Sequence, residues 1–128
     1  MISQFVNPNK RKKNLLGELY DFPDKTMAIG RLDVASEGLL LLTTDGKVSE
    51  EIRSNKVEKE YYVQVDGIIT EDAINQLKIG VEIGFEGKKY LTKPGKAFLI
   101  DDPKFPLRSQ KIRDERHGPT SWISIIIT

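Results

Sequence analysis

Residues 30 to 46 read Gly-Arg-Leu-Asp-Val-Ala-Ser-Glu-Gly-Leu-Leu-Leu-Leu-Thr-Thr-Asp-Gly, and how they divide sets the architecture around them. Leu39 to Thr43 is a continuous apolar run, as expected of a strand covered on both sides. Ahead of it, Met27 to Leu32 is a second short apolar stretch, a strand candidate that leads into Asp33. A small-residue bend joins the two. The pattern can hold one carboxylate, Asp33, beside one cation, Arg31, at the mouth of a buried sheet. A Leu-Asp pair alone reads first as a turn residue or helix cap, since those are the commonest places for aspartate. Arg31 can likewise serve as a surface partner for an acid such as Glu37.

Upstream of this segment, residues 1 to 6 read as an extended end, and the polar, proline-punctuated stretch 7 to 13 as a loop. Asn14 can cap a helix over residues 15 to 20, with Leu15, Leu16, Leu19 and Tyr20 on one face, until Pro23 ends it. Downstream, Thr44-Asp45-Gly46 makes a turn, and Val48 with Ile52 predicts a short stretch of helix.

Residues 58 to 66 alternate, which places Tyr61, Val63 and Val65 on one face of a strand and Tyr62 on the other. Thr70 can cap a helix running to Ile79, with Glu71 and Asp72 favourable in its first turn and Ile74 and Leu77 facing inward. Gly80 stops it. Short strands follow at 81–83, 88–92 and 96–100, with Gly84-Phe85-Glu86-Gly87 as a hairpin turn. A basic loop spans 103–119, and a final strand, 122–128, carries Trp122 as a core residue. The expected fold is α+β: a mixed, largely antiparallel sheet with a few short helices, in a single domain over 1–128.

Composition narrows the function classes. Hydrophobic content of 38% with 30% charged residues describes an ordinary soluble protein, and no apolar run approaches the ~20 residues of a membrane helix. The start, Met-Ile-Ser-Gln-Phe, is neither a signal nor a transit peptide. Absence of cysteine excludes disulfides and thiolate metal sites, and the single histidine, His117, leaves no imidazole cluster. Neither a metal nor a cofactor is expected, and the cytoplasm is the default location. The net charge of +1 conceals two basic stretches, Lys10 to Lys13 and the run of Lys104, Arg108, Lys111, Arg113 and Arg116. Such runs can bind phosphate, or simply be solvated surface.

The segment from Gly30 through Asp33 and Ser36-Glu37-Gly38 to Asp45-Gly46 resembles the catalytic segment of pseudouridine synthases, in the branch that modifies single uridines in ribosomal RNA. The likeness is closest to the subgroup acting on the 23S, large-subunit RNA. It implies that Asp33 is the catalytic aspartate and that Arg31 lies toward the RNA. Lys59-Glu60-Tyr61-Tyr62-Val63-Gln64-Val65 resembles the family's second motif, whose tyrosine lies against the target base. Tyr61 would then be a stacking platform, where without Asp33 it would read as a core residue. Lys59 can contact phosphate or be solvated. Arg113 and Arg116, ahead of Pro119-Thr120-Ser121-Trp122, resemble a basic segment of the same subgroup.

The chemistry agrees with so sparse a set. Forming pseudouridine breaks the N1–C1′ bond of a flipped-out uridine, turns the uracil, and joins C5 to C1′. Uracil leaves with its charge spread over the ring, so one carboxylate can suffice where glycoside hydrolases need two. The resemblance covers residues 27–128, with a remnant in 2–6. It implies that an Asn-Lys-Pro strand before that remnant and a Glu-Gly-Arg/Lys-Asn-Arg segment with a basic helix after the last strand are missing. From this follows the expectation of a weakly active or inactive fragment, with exposed sheet edges open to dimerisation or strand exchange. The alternative is an RNA-binding module without chemistry.

Overall fold

Gly30 decides where the first strand stops. Strand β1, Met27–Ile29, ends there because Gly30 has φ of +77°, in the left-handed region that glycine tolerates best. Its partner is β2, Leu41–Thr43, antiparallel, with Met27 opposite Thr43 and Ile29 opposite Leu41. Both strands are shorter than expected, and their connection takes up residues 30–40. Nor is β2 covered on both sides: Leu41 is 42% exposed and Leu39, outside the strand, 83%. An apolar run states a tendency to be buried, but the partner is set by register, and three paired residues leave the start of this run uncovered.

The computed structural model describes residues 3–6, 14–108 and 118–128. They divide into two units, one up to Val57 and the other from Glu58 onward. The first unit contains β1, β2 and helix α1, Gly46–Arg53, which lies against both strands. Helix α1 begins where a turn was expected, because the Asp45 side chain caps it, accepting the Lys47 N–H at 2.8 Å. The helix expected over 15–20 is only a 3₁₀ turn, Leu16–Glu18. Leu16 is buried, but Leu19 and Tyr20 are exposed, so no apolar face offsets the cost of nucleating a longer helix. Asn14 does not cap it, and the loop expected over 7–13 lies outside the described residues.

The second unit is built on a three-stranded antiparallel sheet. Strand β3, Lys59–Asp66, is followed by α2, Glu71–Ile79, the hairpin β4–β5 (Glu82–Phe85 and Lys88–Leu91), then β6, Lys96–Ile100, and β7, Thr120–Ile127. The chain's last strand, β7, sits in the middle, with β3 on one side and β6 on the other. Thr70 caps α2 as expected, and Gly80 ends it at φ of +125°, where a Cβ would run into the Thr92 carbonyl. The β4–β5 turn is confined to Glu86-Gly87, with Gly84 and Phe85 inside the strand.

The core lies on one face of this sheet. Ala97 and Ile123, 1% and 2% exposed, share that face through the β6–β7 register, and Ile74 of α2 is buried as well. Trp122 belongs to the opposite face and is only half-buried. Its ring meets Phe105 edge-on at 5.6 Å, and Phe105 in turn lies over Tyr62 at 5.5 Å. The fully buried tryptophan expected from the strand pattern is therefore half-buried in an aromatic cluster, on the face of β7 that it shares with the buried Ser124.

Candidate active site

Asp33 lies in the connection between β1 and β2, held by its backbone rather than by a strand ladder. The residue before it, Leu32, donates its N–H to the Ser3 hydroxyl at 2.8 Å, and that hydroxyl donates back to the Leu32 carbonyl at 3.0 Å. After it, the Asp33 carbonyl accepts the Ser36 N–H at 2.9 Å, closing a turn. Ser3 is buried, and its own segment is fixed by two contacts. The Gln4 carbonyl accepts the Leu16 N–H at 3.1 Å, and the Phe5 ring meets Phe22 edge-on at 5.3 Å. Asp33 and Arg31 are both exposed, and among the described residues neither forms an ion pair. The alternative of Arg31 paired to Glu37 is not what the structure contains.

Tyr61 is positioned in the opposite manner. It sits in β3 opposite Ile125 of β7, within a pairing that runs unbroken from Lys59–Ile127 to Asp66–Thr120. It shares a face with Val63 and Val65, as the alternation predicts, and is 49% exposed. A phenol ring standing half out of a rigid sheet offers a flat surface for a base. Tyr62 faces the other way and packs against Phe105, a structural role. Lys59 opens the strand, half-buried, on the same face as Tyr61.

Two pairs of predicted residues are thus each brought together: Arg31 with Asp33 on one connection, and Lys59 with Tyr61 on one strand. Arg113 and Arg116 lie outside the described residues. No cluster of three or more His, Cys, Asp or Glu side chains able to hold a metal occurs among the described residues, and no helix there is long and apolar enough to cross a membrane. Sequence reading gave no role to Ser3. Its only signal is a small hydroxyl side chain beside Ile2 and separated by one residue from Phe5.

Residues 3–128 match the family model described as RNA pseudouridylate synthase. The chain is 38% identical over 130 residues to the ribosomal large subunit pseudouridine synthase E of Vibrio vulnificus, covering 98% of this chain and 52% of that protein. It is 32% identical over 131 residues to the protein of the same name from Xanthomonas axonopodis pv. citri, covering 100% of this chain and 66% of the relative. A shorter stretch of 59 residues is 48% identical to the ribosomal large subunit pseudouridine synthase B of Buchnera aphidicola, over 44% of this chain and 24% of that protein. The chain spans about half the length of the Vibrio relatives it matches.

Proposed function

Since this chain belongs to the RNA pseudouridylate synthase family, we propose that it is part of a catalytic domain that isomerises a uridine of large-subunit ribosomal RNA to pseudouridine. Asp33 is the reacting carboxylate in this reading. The observation that carries it is the presentation of that residue: exposed, uncommitted to any ion pair among the described residues, and fixed in backbone on both sides. A carboxylate so placed can attack C1′ or stabilise positive charge there while the N1–C1′ bond breaks. After uracil turns, C5 bonds to C1′ as any carboxylate–C1′ bond breaks and returns its electron pair to Asp33, the C5 hydrogen is released as a proton, and N1 takes up a proton. No redox step or external group is consumed.

Arg31, two residues from Asp33, is proposed to meet RNA phosphate, and Lys59, Arg113 and Arg116 to add phosphate contacts that strengthen binding without selecting sequence. Tyr61 is proposed as a stacking face for an RNA base. Ribosomal RNA as substrate makes the cytoplasm the place of action. Because Asp33 is exposed to water, slow turnover by this chain is expected, as a hydrated carboxylate is a poorer nucleophile and stabiliser than a shielded one.

Release of tritium from C5 of uridine in ribosomal RNA tests the reading. Asp33→Asn is expected to lower the release rate by about 10²–10³-fold while RNA affinity is kept, since one group acting on the transition state is lost. Retained turnover in that variant removes Asp33 from the chemistry. RNA binding with no tritium release by a chain of the relatives' full length favours a binding module instead.

A further inference from the structure

We propose that Ser3 is a positioning residue for the reaction, its hydroxyl fixing through Leu32 the direction in which Asp33 is presented. This rests on reading Asp33 as the reacting carboxylate. The Leu32 N–H and C=O both end on one oxygen, Ser3 Oγ, at 2.8 and 3.0 Å. In an antiparallel sheet those two groups would be met by the N–H and C=O of a residue on a neighbouring strand. Beyond Ile29, β1 has no such neighbour, since β2 pairs only as far as Leu41. The serine hydroxyl, donor and acceptor at once, takes over both roles.

The clamp is rigid because Ser3 is buried and its neighbours are tied elsewhere, Gln4 to Leu16 and Phe5 to Phe22. With the Asp33 carbonyl bound by the Ser36 N–H, the residue is pinned before and after. A reacting group displaced by about 1 Å can lose about a hundredfold in rate, so one hydroxyl remote from the substrate can matter.

The test compares Ser3→Ala, Ser3→Thr and Asp33→Asn in the full chain, under single-turnover conditions with ribosomal RNA, alongside RNA affinity and amide hydrogen exchange. Ser3→Ala is expected to lower the rate constant about 10- to 100-fold at unchanged RNA affinity. The Leu32 amide should exchange at least about tenfold faster once its acceptor is gone, while the β3–β7 ladder keeps its protection. Ser3→Thr, which keeps the hydroxyl, should restore rate and protection together. A native rate in Ser3→Ala, an unchanged Leu32 amide, or a rate loss that threonine does not restore overturns the proposal. Undiminished turnover in Asp33→Asn instead strikes the reading of Asp33, and Leu32 exchange then still decides whether Ser3 holds the segment.

Discussion

The connection that carries Asp33 and the strand that carries Tyr61 are held by different means. Tyr61 sits in a ladder in which every residue from Lys59 to Asp66 faces a partner on β7, so its direction follows from the pleat. Asp33 has no ladder. Its direction follows from a few isolated bonds: the Ser3 hydroxyl on Leu32 before it, and the Ser36 N–H donated to its own carbonyl after it. A ladder is redundant, so removing one bond leaves the others. A clamp made by one hydroxyl is not. Positions whose orientation rests on such single contacts are therefore more sensitive to one substitution than their burial suggests.

The largest expected stability effect tests the ladder side of this contrast. Ile123 is 2% exposed and lies at the centre of β7, opposite Val63 and Leu99. Ile123→Ala should cost about 2–5 kcal/mol, the range for truncating a large aliphatic side chain in a packed site. Urea unfolding followed by tyrosine and tryptophan fluorescence would measure it. A loss below about 1 kcal/mol would mean that backbone pairing rather than packing holds the sheet, and that its robustness has another source.

Tyr61 is the next step down. If it stacks on a base, Tyr61→Ala should weaken RNA binding by about 1–3 kcal/mol, and Tyr61→Phe by much less, because the face and not the hydroxyl does the stacking. Both variants should fold, since the ring is 49% exposed and the ladder does not depend on it. Fluorescence titration with ribosomal RNA fragments distinguishes them. Equal losses for Ala and Phe would assign the contact to the hydroxyl and end the stacking role.

Legibility from sequence divides along the same line. The alternation over 58–66 located β3 to within a residue, and Thr70 with Gly80 bounded α2, because period and caps are local signals. The α+β class followed from the mixture of such elements. The Leu39–Thr43 run misled, since it predicted two-sided cover where β2 is half open. Trp122 is half-buried rather than fully inside, because its cover is the partly exposed Phe105, a loop residue that no pattern within the strand announces. Around the candidate site, Asp33 and Arg31 stood out in the residue pattern, but their roles were suggested only by resemblance. The Ser3–Leu32 bridge spans a separation of 29 residues, and no local pattern announces it.

The smallest effect belongs to a clamp whose failure should be mild, and for that reason it sharpens the contrast most. Asp45 accepts the Lys47 N–H at 2.8 Å and so satisfies one of the free donors that open α1. Its backbone is bound independently, with its N–H on the Thr43 hydroxyl at 3.0 Å and its carbonyl on the Ser49 N–H at 3.1 Å. Asp45→Ala removes only the side-chain bond and should cost about 1 kcal/mol in urea unfolding. Asp45→Asn, which keeps the acceptor, should cost only a few tenths of that, through the lost charge at the helix N-terminus. The exposed cap can be replaced by water, whereas Ser3 is buried where water does not easily follow. A larger penalty for Asp45→Ala than for Ser3→Ala would reverse that ranking, and would show that the first unit is held from the α1 end rather than at the bridge beside Asp33.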